Sequence, residues 1–167
     1  VLALFSLVIG QPQPDWPPNT TVTGFAFYDR RDYFGQTEML PELLRFLDDG
    51  PPPIVFTLGS SAFWVAENFY RDSLETAQAL GRRALLLIGH QRNMPGDTLP
   101  QGIGAFEYAP FEQVFPRAAA IVHSGGIGTT RQALKSGKAQ LVVPHAHDQF
   151  DNASRVVRLG CGRSVAP

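Results

Sequence analysis

Two short segments hold most of the groups that can do chemistry. The first is His123-Ser-Gly-Gly-Ile-Gly-Thr-Thr130, set between an apolar run and an amphipathic one. Glycines let the backbone approach a ligand closely and adopt positive φ. A helix starting there offers unpaired amides and a favourable dipole to an anion. The Thr129 and Thr130 hydroxyls can cap that helix or donate to a phosphate, and His123 adds a donor at the end of the preceding strand. The alternative is a turn whose glycines only permit tight strand–helix packing. The segment has neither the Gly-x-Gly-x-x-Gly dinucleotide pattern nor the Gly-Lys-Ser/Thr of a Walker loop. Ser124 does not fit the Gly-x-Ser-x-Gly nucleophile elbow, because position 122 is Val.

The second segment is Pro144-His-Ala-His-Asp-Gln-Phe-Asp-Asn152. Its His and Asp residues suggest a metal at first sight, but the spacing is not that of two imidazoles on one helix face, and further ligands are lacking. Polyol recognition fits better: Asp148 can accept from two sugar hydroxyls, and Gln149 can both donate and accept. Asp148 also reads as an ordinary helix N-cap. Two weaker signals remain. Ser60-Ser61 reads as a loop or cap, and Tyr108-Ala109-Pro110 can meet a base with its backbone or its ring, or simply pack.

The elements that must position these segments follow from pattern. Apolar runs without polar alternation at 54–58, 84–88, 103–107, 119–122 and 141–143 predict strands covered on both faces. Between them lie predicted helices at 65–80, 111–115, 129–135 and 149–159. A further helix is expected over 38–47, capped by Thr37, with Leu40, Leu43, Leu44 and Leu47 on one face. A last strand is expected to open at 163–165, and a strand at 20–27 precedes the whole. Strands alternating with helices imply an α/β, Rossmann-like doubly wound parallel sheet. Ligands of such sheets bind at the carboxyl ends of the strands, where all four segments fall.

Composition narrows the class. The net charge of −1 argues against sequence-independent nucleic-acid binding and against a polybasic membrane anchor. A single cysteine, Cys161, excludes an intrachain disulfide framework and fits a reducing, cytoplasmic setting. The longest apolar run, Val1–Ile9, is about half a membrane span. It reads as the end of a preceding domain, and the proline-rich stretch at 10–19 as a stiff linker. The expected organisation is 1–28 as that domain end and linker, then 29–167 as one α/β domain.

Taken in order, Tyr108-Ala109-Pro110, His123-Ser124-Gly125-Gly126, Pro144, Asp148-Gln149 and Asn152 resemble the signature region of GT-B-fold, nucleotide-sugar-dependent glycosyltransferases. The resemblance is to the carboxyl-terminal donor domain of the UDP-glycosyltransferase group that includes plant, sterol, macrolide and glycopeptide enzymes. It implies that His123, Ser124, Gly125, Gly126 and Gly128 hold the donor diphosphate, with Thr129 and Thr130 supporting the loop. It implies further that Ser60 touches phosphate or ribose, that Asp148 and Gln149 hold sugar hydroxyls, and that Tyr108 and Ala109 meet the base. It implies an inverting, metal-independent transfer of a hexose to a hydroxyl of a small lipophilic acceptor, with no cofactor. The catalytic base and acceptor pocket of such enzymes lie in an amino-terminal domain, so the chain alone is expected to bind nucleotide without transferring sugar.

Two positions depart from the plant members. Arg131 stands where they carry a ribose-binding acid, and Tyr108 where they carry a stacking Trp, so UDP and dTDP both stay open. A GT-B-fold nucleotide-sugar epimerase and a binding-only module are the alternatives.

Overall fold

The computed structural model describes residues 1–27, 39–59, 66 and 68–166. Its framework is a six-stranded parallel sheet: β3 (Ile54–Thr57), β4 (Ala84–Leu87), β5 (Ile103–Phe106), β6 (Ala120–His123), β7 (Gln140–Val142) and β8 (Gly162–Ser164). A separate pair at the amino end joins β1 (Leu2–Ala3) to β2 (Thr21–Val22). The helices are α1 (Pro41–Asp48), α2 (Phe69–Ala79), α3 (Phe111–Val114), α4 (Ile127–Ser136) and α5 (Gln149–Arg158). In space the sheet runs β5-β4-β3-β6-β7-β8. This is the 3-2-1-4-5-6 arrangement of doubly wound domains, whose strand order reverses between β3 and β6.

Strand alternation sorts the core into layers. Phe56, Leu86, Ile88, Val122 and Val143 face α2 and pack with its Tyr70 and Ala77. Val55, Leu85, Leu87 and Ile121 face the opposite way, onto Leu43 and Leu47 of α1, Val114 and Phe115, and Ala133 of α4. Val142 meets Ala153 and Val156 of α5. A central strand buried on both faces has no polar side to show, which explains the near-continuous apolar runs.

Tyr70 ties α2 to the carboxyl edge of the sheet. Its buried hydroxyl donates to Leu87 O at 2.7 Å and accepts from Leu58 N at 3.4 Å. Burial drives the phenol's pKa upward, so the hydroxyl stays protonated as a donor. Tyr70→Phe strands the Leu87 carbonyl and should lower unfolding free energy by about 1–2 kcal/mol, measured by urea denaturation.

Four sequence expectations change. The helix expected from residue 38 begins at Pro41, with Leu40 at the cap position. Proline fixes its own φ for the first helical turn and pushes its predecessor into extended backbone, here φ −55 and ψ 139 at Leu40. The strand expected over 20–27 is only Thr21–Val22, because its partner offers just Leu2–Ala3. The helix expected from Thr129 starts two residues earlier, at Ile127. The helix expected over 65–80 spans Phe69–Ala79, with Asn68 at its cap and Ala66 outside it. Thr37, the 28/29 boundary and Ser60-Ser61 lie outside the described residues.

The amino-terminal segment docks against the helices of the site. Ile9 is buried, and its carbonyl accepts from Arg155 Nη1 of α5 at 2.7 Å. Arg131 of α4 donates to Ala26 O, and its guanidinium lies 5.7 Å from the Phe27 ring, with Lys135 Nζ 4.6 Å from the same ring. No helix among the described residues is long and apolar enough to cross a membrane.

Candidate functional site

The site forms where β3 and β6 deliver their carboxyl ends side by side, with Thr57 in register with His123. The loop His123–Gly126 is fastened from several directions. Ser124 Oγ donates to Leu58 O at 2.8 Å, bridging to the end of β3. Val143 N donates to His123 O at 2.8 Å, from β7. Asn152 Nδ2 of α5 donates to Gly125 O at 2.9 Å. The Gly125 N–H donates to His123 Nδ1 at 3.1 Å.

The two adjacent glycines have different reasons to be glycine. Gly125 sits at φ +90, and a Cβ there would lie 2.7 Å from Val142 Cγ1 and 3.0 Å from Gln149 O. The fold itself forbids a side chain at that position. Gly126 has φ −58, and a Cβ on Gly126 or Gly128 would meet nothing within 4 Å among the described residues. Neither packing nor backbone conformation demands glycine at these two, so open space lies in front of them. The N-cap residue of α4 is Gly126, which has no side chain to cap it. The first amides of a helix have no intrahelical partner, so the end of α4 presents N–H groups into that space. Thr129 is buried, with its Oγ1 2.9 Å from where a Cβ on Gly59 would stand. Thr130 is fully buried, with its Oγ1 lacking a partner among the described residues.

His123 is not at the surface. The ring has 0% exposure, and its Nε2 meets Gln140 Oε1 at 2.9 Å. An amide oxygen only accepts, so Nε2 carries the proton and Nδ1 is the acceptor for Gly125. Burial, partly offset by the Gln140 bond, lowers the ring's pKa from 6.5 to about 4. The imidazole is therefore neutral near pH 7, with both nitrogens committed within the protein. Ser124 is equally committed.

Around β7 the second segment turns into α5. Asp148 occupies the N-cap position but makes no cap bond. Its carboxylate is exposed and accepts from Asn152 Nδ2 at 2.8 Å. Gln149 is buried, and its Oε1 accepts from His145 N at 2.7 Å and Ala146 N at 3.0 Å. His147, between them, takes φ +54, a left-handed conformation unusual for a side-chain-bearing residue. The turn it makes sets Asp148 beside the glycine loop through Asn152. Tyr108 and Ala109 follow β5, at the far edge of the sheet, the first exposed and the second buried. Ser60 lies outside the described residues. Among the described residues no three His, Cys, Asp or Glu side chains gather as a metal would need.

Sequence reading missed Gln140 and the carbonyl of Leu58 as parts of the site. Gln140 did leave a signal. A polar residue in an otherwise apolar buried strand needs a buried partner.

The strand order, the uncapped helix at the switch point and the side chains along the carboxyl edge define the class: a Rossmann-like α/β domain with its ligand edge at β3 and β6. Residues 72–167 match the family described as erythromycin biosynthesis protein CIII-like, C-terminal domain, and the chain belongs to this C-terminal domain family of GT-B glycosyltransferases. It is 36% identical over 160 residues to O-mycaminosyltylonolide 6-deoxyallosyltransferase of Streptomyces fradiae, covering 93% of this chain and 35% of that protein. A sterol 3-beta-glucosyltransferase of Arabidopsis thaliana is 30% identical, covering 93% of this chain and 25% of the relative. Among solved structures, the glycotransferase of kitacinnamycin matches with a TM-score of 0.75 and 26% identity, covering 99% of this chain and 41% of that one. The spinosyn rhamnosyltransferase SpnG complexed with thymidine diphosphate has the same fold, with a TM-score of 0.72 at 18% identity, covering 98% of this chain and 42% of that one. The chain thus spans about a third or less of the curated relatives' length.

Proposed function

We propose that this domain binds the nucleotide-sugar donor of an inverting glycosyltransferase that moves a hexose to a hydroxyl of a small lipophilic acceptor. The observation that carries the reading is the pair Gly126 and Gly128, at the N-cap and in the first turn of α4, where nothing among the described residues requires glycine. A diphosphate approaching that close to backbone amides is what their missing side chains permit. A relative of the same fold is known with thymidine diphosphate, which supports a pyrimidine diphosphate as the nucleotide.

The ligand lies along the carboxyl edge of the sheet. Its base is at Tyr108 and Ala109 after β5, its diphosphate at the 124–128 loop after β6, and its sugar at Asp148 and Gln149 after β7. Four strand spacings separate β5 from β7, about 19 Å, which suits an elongated ligand. Asp148 accepts from sugar hydroxyls. Gln149, whose Oε1 already holds the 145–146 amides, contributes its Nε2.

In the reaction, a general base on another domain takes the acceptor's proton. The acceptor oxygen bonds to the anomeric carbon as the bond to the leaving diphosphate breaks. The α4 amides stabilise the charge growing on that diphosphate, which lets the reaction proceed without a metal. The chain alone binds donor and transfers nothing.

Asp148→Ala should separate the sugar from the nucleotide. It should weaken binding of the nucleotide sugar by about tenfold, the equivalent of one charge-assisted hydrogen bond. Binding of the bare diphosphate should be unchanged. Equal loss for both ligands in titration calorimetry would overturn the assignment of Asp148 to the sugar.

A further inference from the structure

We propose that Gln140 is a positioning residue for donor binding, holding His123 in the Nε2–H form so that Nδ1 accepts the Gly125 amide and fixes the glycine turn. The inference rests on the donor-binding reading above and adds to it a residue that touches no ligand.

The geometry follows from strand register. β6 and β7 are parallel, with Ile121 opposite Gln140 and His123 opposite Val142. Side chains two apart share a sheet face, so His123 and Gln140 are diagonal neighbours on the α4/α5 face. Gln140 is buried, as is His123, and the 2.9 Å contact joins Nε2 to Oε1. The relay continues from Nδ1 to the Gly125 amide at 3.1 Å, and from Gly125 O to Asn152 at 2.9 Å. Gly125 is the positive-φ residue of the loop, at φ +90, and sets the direction of the amides after it. If the tautomer reverses, Nδ1–H faces the Gly125 N–H, and two donors oppose each other across 3 Å.

Among the described residues no charged group bonds to the His123 ring. Thr57 of β3 and Val142 of β7 flank it in register. Ser124 is on its own loop, and Thr129 and Thr130 are on α4. Among the described residues the nearest charged group in the hydrogen-bond network is Asp148, three bonds away through Gly125 and Asn152. The Gly125 N–H only donates and so requires Nδ1 to accept, and Gln140 Oε1 supports the same form by accepting from Nε2–H. A neutral amide does this without charging the ring, whereas a carboxylate in its place would favour imidazolium.

The test uses the 167-residue chain, its Gln140→Glu and Gln140→Leu variants, and two readouts from pH 8 to pH 5. One is NMR of the His123 ring nitrogens and the Gly125 amide, which needs no ligand. The other is the Kd for UDP and dTDP. In the parent chain Nε2 should be protonated throughout, and the Kd should change less than about threefold, because the ring's pKa of about 4 lies below the range. Gln140→Glu should raise that pKa by about 2 units or more. Its Kd should match the parent at pH 8 and weaken about tenfold as the ring protonates, with the Gly125 amide shifting at the same pH. Gln140→Leu should weaken binding about fivefold at all pH values.

A parent ring protonated on Nδ1 would overturn the proposal, even if neither variant folds. So would a Gln140→Glu chain whose ring protonates with Kd and Gly125 amide unmoved. If the parent binds neither nucleotide, the donor reading fails, while the ring and amide data still decide whether Gln140 positions the loop.

Discussion

Gly126→Val should abolish nucleoside diphosphate binding while leaving the chain folded. Among the described residues nothing lies within 4 Å of a Cβ at this position, and φ −58 suits any residue, so the folded state has room for the isopropyl group. Valine is a poor N-cap, and the cost in stability should stay near 1 kcal/mol. The space the side chain fills is the space from which a phosphate would reach the α4 amides. Two or three charge-assisted hydrogen bonds are lost together, so Kd should rise by about 100-fold or more. The paired measurement is calorimetric titration with thermal denaturation of the same sample. Unchanged affinity would mean that the ligand does not approach the end of α4.

One residue earlier, Gly125→Ala should do the opposite and destabilise the fold. At φ +90 an added Cβ is strained, and it would press on Val142 Cγ1 at 2.7 Å and Gln149 O at 3.0 Å. Strain and overpacking together should lower unfolding free energy by about 3 kcal/mol. The Asn152 and His123 bonds to this residue would shift with it, so binding should fall as well. The contrast between adjacent glycines is the point: one serves the fold, the other the space in front of it. A Gly125→Ala chain with parental melting temperature and Kd would refute this division.

The sheet was legible because its strands are buried on both faces, and continuous apolar runs such as Ala84–Leu87 have few other uses. The expected position of the site followed from the same alternation, since each of the four segments singled out falls after a strand. What the sequence could not reveal was how side chains are already committed. Ser124 reads as a donor for ligand, yet its hydroxyl is used on Leu58 O. His123 reads as a diphosphate contact, yet its ring is buried between Gln140 and Gly125. Both facts depend on which strands lie side by side, β3 against β6 and β6 against β7, and no local pattern encodes that pairing. The two readings of Asp148 separate only in three dimensions, where its carboxylate turns to Asn152 and not to the helix amides. Arg131 is clearer too: it holds Ala26 and Phe27.

The most direct test of the donor-domain account is isothermal titration of the chain with UDP, dTDP, GDP and NAD, with and without EDTA. The account predicts saturable binding of a pyrimidine diphosphate that is insensitive to EDTA and absent in Gly126→Val. Binding of none of the four at millimolar ligand, or binding that survives Gly126→Val, would contradict it.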